Sequence, residues 1–273
     1  MQIGFEDYPG SIEAARILIA ARLAGIAGPR LPAHCRPQSL SQAIAVQRRT
    51  AELLRETRQD GIAAWKSALP SPEKTVVAPI YASGTADAAA GAVPARTDVV
   101  RIEPEIAFQI ARDLPPRDTP YTEAEIDAAV GSARLALEIL GCRYASPEHA
   151  SLPELLADHM FNQGLVLGPR IASPDAAPGS MTITLTVDGV EVEQHAGIHP
   201  NDHPKAGLYW LANFLREQGL GLAAGQHVIT GSYAGFLDVP AHRDIELAYG
   251  DLGVLRVRFG SQDGASGPVS AAG

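Results

Sequence analysis

The stretch Ile102-Glu103-Pro104-Glu105-Ile106-Ala107-Phe108 sets two carboxylates two residues apart among apolar side chains. In an extended chain, successive side chains point to opposite faces. Glu103 and Glu105 therefore share one face, and Ile102, Ile106 and Phe108 share the other. Neighbouring like charges repel unless water or a positive group sits between them. Two readings follow: a solvated face, or a face that holds a cation or a basic group. Charges mostly mark exposed faces, so the fragment alone favours solvation, and the rest of the chain has to decide.

Working outward, the surrounding Val99 to Ala111 (VVRIEPEIAFQIA) reads as one strand. Ile62 to Leu69 (IAAWKSAL) and Thr75 to Ala82 (TVVAPIYA) read the same way, as short apolar runs broken by Gly and Pro. Upstream, Ser11 to Ala24 forms an amphipathic helix pattern with Ser11 as N-cap. A second helix opens at Ser39 or Ser41 and runs to about Thr57, with Ala43, Val46, Ala51 and Leu54 on one stripe. Downstream, Thr122 to Leu137 (TEAEIDAAVGSARLAL) reads as a helix that starts with a Thr122–Glu125 capping box. Glu138-Ile139-Leu140 then either ends that helix or begins a strand. Met181 to Ala196 alternates around Asp188-Gly189, a hairpin signal. Pro204 to Gln218 is a last helix with Gly219 as C-cap, and HVITGS and GVLRVRF are late strands. Helices come first and strands follow, with two inserted helices. This is not a βαβ alternation, so a doubly wound parallel fold is disfavoured. The expected fold is α+β, a β-rich body with an N-terminal helical cap. Its divisions are a helical region at 1–58, a β-rich domain at 59–260 and a flexible, small-residue tail at 261–273.

Composition narrows the function classes. The 273 residues are 46% hydrophobic with a formal net charge of −9. That suits a soluble protein with a sizeable core and disfavours nucleic-acid or anionic-membrane partners. No apolar run reaches membrane-spanning length. Cys35 and Cys142 lie far apart and outside any CxxC arrangement, so two reduced thiols in a cytoplasmic protein are expected. The start MQIGFEDYPG lacks a basic segment followed by an apolar core, so no secretory signal is expected.

Three features carry chemistry. Glu138 lies inside the apolar run LALEIL, where an unpartnered carboxylate is costly to bury. With Glu103 and Glu105 it makes three carboxylates, hard ligands that suit magnesium or manganese. Its bland reading is a helix end that exposes it. Lys66 is one of three lysines against nineteen arginines and sits in an apolar strand. It either snorkels outward or is a desolvated amine with a lowered pKa, suited to acid–base work. His195, His199 and His203 are spaced by four, but Gly197, Pro200 and Pro204 exclude the helix that zinc binding at this spacing would need. No GxSxG, P-loop or GxGxxG motif is present.

Taken together, GIAAWK, EPEIAF, ALEILGCRY, LADHMFNQGLVLG, HPKAGLYWLANFL and VITGS, in this order, make the chain resemble the 2-keto-4-pentenoate hydratase family of the fumarylacetoacetate hydrolase superfamily. The resemblance runs from about Ser11 to Phe259. It implies a mixed β-sheet roll with helical additions, commonly oligomeric. It implies a divalent metal, Mg2+ or Mn2+, on Glu103, Glu105 and Glu138, which answers the opening question in favour of a cation. Lys66 matches the family's catalytic lysine. Ser232, Asn162 and Arg143 fall where a substrate tail or carboxylate would be oriented. The implied reaction is hydration of 2-hydroxy-2,4-dienoate or 2-oxo-4-enoate substrates in aromatic-compound catabolism. In that scheme the metal chelates the carboxylate and 2-oxygen, and Lys66 handles the proton at the 2-oxygen or C3.

The departures lie on the substrate side. The lysine motif reads WKSAL where close hydratases read like GxKIGL. An acidic residue of those enzymes falls near Ile80-Tyr81, where there is none. The Asn of their ADN is His159, although Asn162 follows, and the Asp that often follows the third metal Glu is Gly141. Three alternatives therefore stand beside hydration. One is decarboxylation of a vinylogous 2-oxo acid of the 4-oxalocrotonate type. Another is acylpyruvate C–C hydrolysis, for which His34 without a neighbouring Glu is a poor base. The third is a metal-binding homologue without catalysis. A homo-oligomer is expected from the resemblance, with the apolar LYWLANFL face serving either an interface or the core.

Overall fold

Residues 6–71, 75–201 and 203–260 are described by the computed structural model; the expected tail at 261–273 lies outside them. Two helices open the chain, α1 (Ser11–Ala24) and α2 (Leu40–Arg58), and they pack on each other. The strands β1 (Ile62–Ser67), β2 (Val77–Tyr81), β3 (Thr85–Asp87), β4 (Val93–Pro94) and β5 (Val99–Ile110) follow. Next come α3 (Glu123–Ala129), β6 (Val130–Leu140), α4 (Leu152–Ala157), β7 (Asn162–Arg170), β8 (Ser180–Val187) and β9 (Val190–Ile198). The chain then runs through α5 (Ala206–Glu217), β10 (His227–Ile229), β11 (Leu237–Pro240), β12 (Asp244–Tyr249) and β13 (Val254–Gly260). The result is an α+β fold with a mixed eight-stranded sheet, ordered β2-β1-β10-β5-β6-β7-β3 with β11 also on β5, and a five-stranded sheet ordered β4-β13-β12-β8-β9.

The centre of the larger sheet is the antiparallel pair β5–β6, in register from Arg101 opposite Leu140 to Gln109 opposite Ser132, with a one-residue irregularity before Ile110 meets Val130. One face of β5 presents Ile102, Ile106 and Phe108 to the main core, which also contains Leu247, Tyr249, Leu255 and Phe259 of the smaller sheet. Each such side chain contributes roughly 1.5–3 kcal/mol by leaving water. The Tyr249 hydroxyl ties the layers by donating to the Ala136 carbonyl at 2.6 Å. The opposite face carries a smaller apolar cluster of Ala64, Ile80, Ala107, Ala136, Leu165, Leu167 and Ile229. The carboxylates rise from this second face.

The helix expected over Thr122–Leu137 is half right. Its capping box is present: the Thr122 hydroxyl accepts from Glu125 N–H, and Glu125 accepts from Thr122 N–H. Arg117 grips the same carboxylate with two 2.8 Å bonds. The helix ends at Ala129, and Val130 onward is strand β6. An Ala/Leu-rich run buried on both faces fits either period, and pairing with β5 and β7 decides it. The other corrections are small. The N-cap of α1 is Gly10, with Ser11 as the first helical residue. The cap of α5 is Gln218, with Gly219 just beyond it at φ 70°. The hairpin turns at Asp188 and Gly189, both at positive φ, as the dipeptide predicts. Cys35 and Cys142 are free thiols. Among the described residues, no helix is long and apolar enough to cross a membrane.

Candidate metal and substrate site

Register builds the site. Glu103 lies directly opposite Glu138 across the β5–β6 ladder, and Glu105 follows two residues on along the same face. Ligand atoms of the three carboxylates all lie within 4.8 Å of one another. Glu105 and Glu138 are buried, whereas Glu103 is partly exposed at the cavity wall. β10 bridges β5 to β1, with Ile229 between Ala107 and Lys66. This brings the Lys66 ammonium over the same face, 2.7 Å from Glu138 Oε1.

Each group is held by further contacts. Lys66 Nζ also donates to the Met160 carbonyl at 3.1 Å. The Asn162 side-chain amide donates to Glu138 Oε1 at 2.8 Å. Gly231 N–H donates to Glu105 Oε2 at 2.6 Å. Gly231 sits at φ 140°, and a Cβ there would come within 2.6 Å of Pro200 Cγ, so only glycine brings this N–H to the carboxylate without strain. The Met160 carbonyl is turned toward Lys66 by an unusual segment: His159, Met160 and Phe161 all have left-handed φ, at 63°, 47° and 67°. Three consecutive non-glycine residues of this kind cost roughly 1–2 kcal/mol each. Strain of that size is characteristic of segments held in place by a functional site.

The electrostatics follow from burial. Glu105 has its pKa raised well above the usual carboxylate range, first by burial and then by Glu138 and Glu103. Burial pulls the Lys66 ammonium down, but Glu138, Glu103 and Glu105 together outweigh it and the net shift is upward. This corrects the lowered pKa expected of Lys66: the carboxylates, not the apolar strand, dominate its surroundings. Glu138 Oε2 is buried with no hydrogen-bond partner. A buried carboxylate oxygen without a donor is costly, and this residue belongs to the cluster of three carboxylates. The donor set therefore fits a hard divalent cation held by Glu103, Glu105 and Glu138.

A cavity of about 410 Å³ opens onto these groups, lined by Lys66, Glu103, Glu105, Met160, Phe161, Ser232 and others. Ser232 is at its wall, where its hydroxyl donates to the Gly235 carbonyl at 2.7 Å. Asn162 is buried behind Glu138 and does not line the cavity. Arg143 is not there either. It is buried in an ion pair with Asp158 and donates to the Asn162 carbonyl at 3.0 Å. The two departures near Tyr81 and at His159 prove to be one feature. The Tyr81 hydroxyl and His159 Nε2 are 2.9 Å apart, buried and edge to face. Burial, Arg22 and Arg143 hold His159 neutral, well below its ordinary pKa. His34 does have a glutamate neighbour, Glu13 at 2.9 Å, contrary to expectation. That pair is largely exposed and does not line the carboxylate cavity.

Sequence reasoning missed Gly231, Met160, Phe161, Pro200 and Asn201. Gly231 had a signal, since it stands between Thr230 and Ser232 in the quoted VITGS run. The Met160 carbonyl had none, because a backbone conformation is not written in residue identity.

The chain is similar to known proteins. The family profile described as Fumarylacetoacetate (FAA) hydrolase C-terminal matches residues 42–263, and the chain belongs to that family. Among curated relatives it is 31% identical over 169 residues to 2-oxo-hept-4-ene-1,7-dioate hydratase of Escherichia coli, covering 59% of this chain and 62% of that one. It is 29% identical to 2-keto-4-pentenoate hydratase of Paraburkholderia xenovorans, over 59% of each. It is 27% identical to 4-oxalocrotonate decarboxylase of Pseudomonas putida, over 50% of this chain and 51% of that one. The matched stretch thus spans about half to six-tenths of these relatives. Among solved structures, 4-oxalocrotonate decarboxylase from Pseudomonas putida G7, complexed with magnesium and adipate, superposes with a TM-score of 0.76 at 21% identity. That match covers 91% of this chain and 97% of the other and shows a shared fold.

Proposed function

We propose that the chain is a divalent-metal-dependent hydratase of 2-hydroxy-2,4-dienoate or 2-oxo-4-enoate substrates, with Mg2+ or Mn2+ on Glu103, Glu105 and Glu138. The observation that carries this reading is the convergence of three carboxylates and one buried lysine on a cavity that can admit a small 2-oxo acid. The hydratases among its curated relatives support the reaction class. A bound cation would supply Lewis acidity toward the carboxylate and 2-oxygen of such an acid. Lys66, fixed by Glu138 and the Met160 carbonyl, holds or delivers the proton at the 2-oxygen or C3. Asn162 orients Glu138, and Ser232 meets the substrate from the cavity wall. Arg143 acts through Asn162, not on substrate directly. The helical region 1–58 and the catalytic body 59–260 form the working unit, in a cytoplasmic homo-oligomer. Sedimentation showing only a 28.7 kDa species would reject self-association.

Decarboxylation of a 4-oxalocrotonate-type diacid is the second reading, favoured by the similarity to 4-oxalocrotonate decarboxylase. It needs the same charge stabilisation but no positioned water. The test is a screen of the purified protein with magnesium or manganese against 2-hydroxydienoates, oxalocrotonate-like diacids and acylpyruvates. Ultraviolet loss without carbon dioxide is the expected result. Carbon dioxide release would replace hydration by decarboxylation, and no turnover of any 2-oxo acid would overturn both.

A further inference from the structure

A second cavity, of about 350 Å³, lies between the C-terminal end of α1, the segment joining β3 to β5, and the β6–β7 connection. Its lining includes four arginines, Arg22, Arg96, Arg101 and Arg143, and among the described residues no Asp or Glu. That composition is unusual on a chain with a net charge of −9. Two of the four are neutralised, Arg101 by Asp238 and Arg143 by Asp158. For Arg22 and Arg96 no carboxylate lies within ion-pair distance among the described residues; their contacts are with carbonyls and a ring.

Arg22 donates to the Asn162 carbonyl at 2.7 Å and to the Gln163 carbonyl at 3.4 Å, and lies 5.9 Å over the Tyr81 ring. Arg96 donates to the Leu23 carbonyl at 3.4 Å, across Gly25. Capping the end of α1 accounts for that single long bond. It leaves most of the five donors of each guanidinium unassigned. Burial and the neighbouring Arg143 bring Arg22 down to about 10 against the opposing pull of Asp158 and Asp60, so holding Arg22 and Arg96 at one cavity without a direct ion-pair partner has an electrostatic cost. Guanidinium groups that line one cavity without carboxylates are suited to planar or tetrahedral oxyanions, which accept paired N–H donors.

We propose that this cavity is an anion site, separate from the carboxylate centre, that takes a small multivalent oxyanion between Arg22 and Arg96. The shared chemistry is two or more negative oxygens on a compact group, whether a phosphate or a short polycarboxylic acid. The proposed hydratase chemistry places no substrate in this cavity, although Arg143 at its wall also holds the Asn162 carbonyl, and the cavity's charge is opposite to that of the carboxylate cluster.

The experiment is titration calorimetry of the magnesium-loaded, full-length protein with inorganic phosphate and, separately, with propane-1,2,3-tricarboxylate. Saturable binding of at least one is expected, weakening as salt is raised. Phosphate alone would identify a phosphate or phosphoester, and the tricarboxylate alone an organic acid. Arg96 is exposed, so Arg96→Glu tests the site without burdening the fold. It is expected to weaken the anion by about tenfold or more, the scale of one charge-assisted hydrogen bond. Glu105→Gln is expected to leave the anion affinity unchanged. No saturable binding of either anion, or equal affinity in Arg96→Glu, would overturn the site. Loss of binding in Glu105→Gln would place the anion at the carboxylate centre and overturn it as well.

Discussion

Lys66→Met separates a lysine that works on substrate from one that only balances charge. The structure predicts three different responses. Lys66 lies 2.7 Å from Glu138 and is drawn by the charges of Glu138, Glu103 and Glu105 together. Removing one partner of a buried pair costs about 3–5 kcal/mol, because the other charge is left uncompensated. That cost belongs to the metal-free protein, so thermal unfolding in chelator should fall clearly while added magnesium recovers most of it. Metal affinity should not weaken. An ammonium a few ångströms from a dication opposes it by about 1–2 kcal/mol even with water-like screening, so the variant should bind magnesium up to roughly tenfold more tightly. Turnover should drop by about 10²-fold or more, the usual contribution of a positioned acid–base group. The assay is the loss of dienoate absorbance at saturating magnesium, with calorimetry of the metal in parallel. Near-wild-type turnover would refute the catalytic role, and weakened metal binding would refute the arrangement of charges. Lys66→Arg should rescue poorly, because a guanidinium is larger, planar and permanently protonated.

Further outcomes follow from the same geometry. Glu105→Gln should weaken magnesium or manganese binding markedly with the fold retained, as read by calorimetry beside circular dichroism; unchanged affinity would remove Glu105 from the ligand set. Gly231→Ala should lower stability by about 1–3 kcal/mol and cut turnover, because its Cβ meets Pro200 at a φ of 140° and the N–H on Glu105 is displaced. Denaturant unfolding and steady-state rates together would detect both effects. His227 is pushed down from 6.5 to about 4, first by burial and then by Arg134 and Arg170. The unfolded chain therefore takes up a proton below pH 6.5 that the folded protein refuses. The stability this contributes is intact above 6.5 and is lost as pH falls toward 4, at up to about 1.4 kcal/mol per pH unit. His227→Asn should flatten that limb of a Tm-against-pH curve, and an unchanged slope would assign the acid sensitivity to other groups.

How much of this was legible in the sequence depends on how far apart the deciding residues lie. Glu103 and Glu105 are two apart in one strand, so their common face follows from period two alone. Glu138 stood out as a carboxylate in an apolar run, but its place opposite Glu103 depends on the β5–β6 register. The reading of 122–137 as helix would have put it at a helix end. Ala, Leu and Arg from 133 to 137 satisfy helical propensity well, and only the strands on either side make β6 the better solution. Beyond the ladder the sequence is silent. Tyr81 and His159 are 78 residues apart, and each looked like a separate loss until the fold joined them in one buried hydrogen bond. Glu13 and His34 meet by the same kind of accident of packing, on the exposed side of the helical region. Arg143 illustrates the converse. Its residue type suited a substrate carboxylate, but Asp158 had already claimed its charge. Lys66 is the sharpest case, because its neighbours in sequence and its neighbours in space argue opposite signs. The apolar strand Ile62–Ser67 alone would depress its pKa, whereas three glutamates from β5 and β6 raise it. The apolar strand gives Lys66 a fixed position, and the carboxylates keep it protonated there. A residue meant to hold a proton beside a bound acid needs both conditions, and only the second depends on contacts that sequence order conceals.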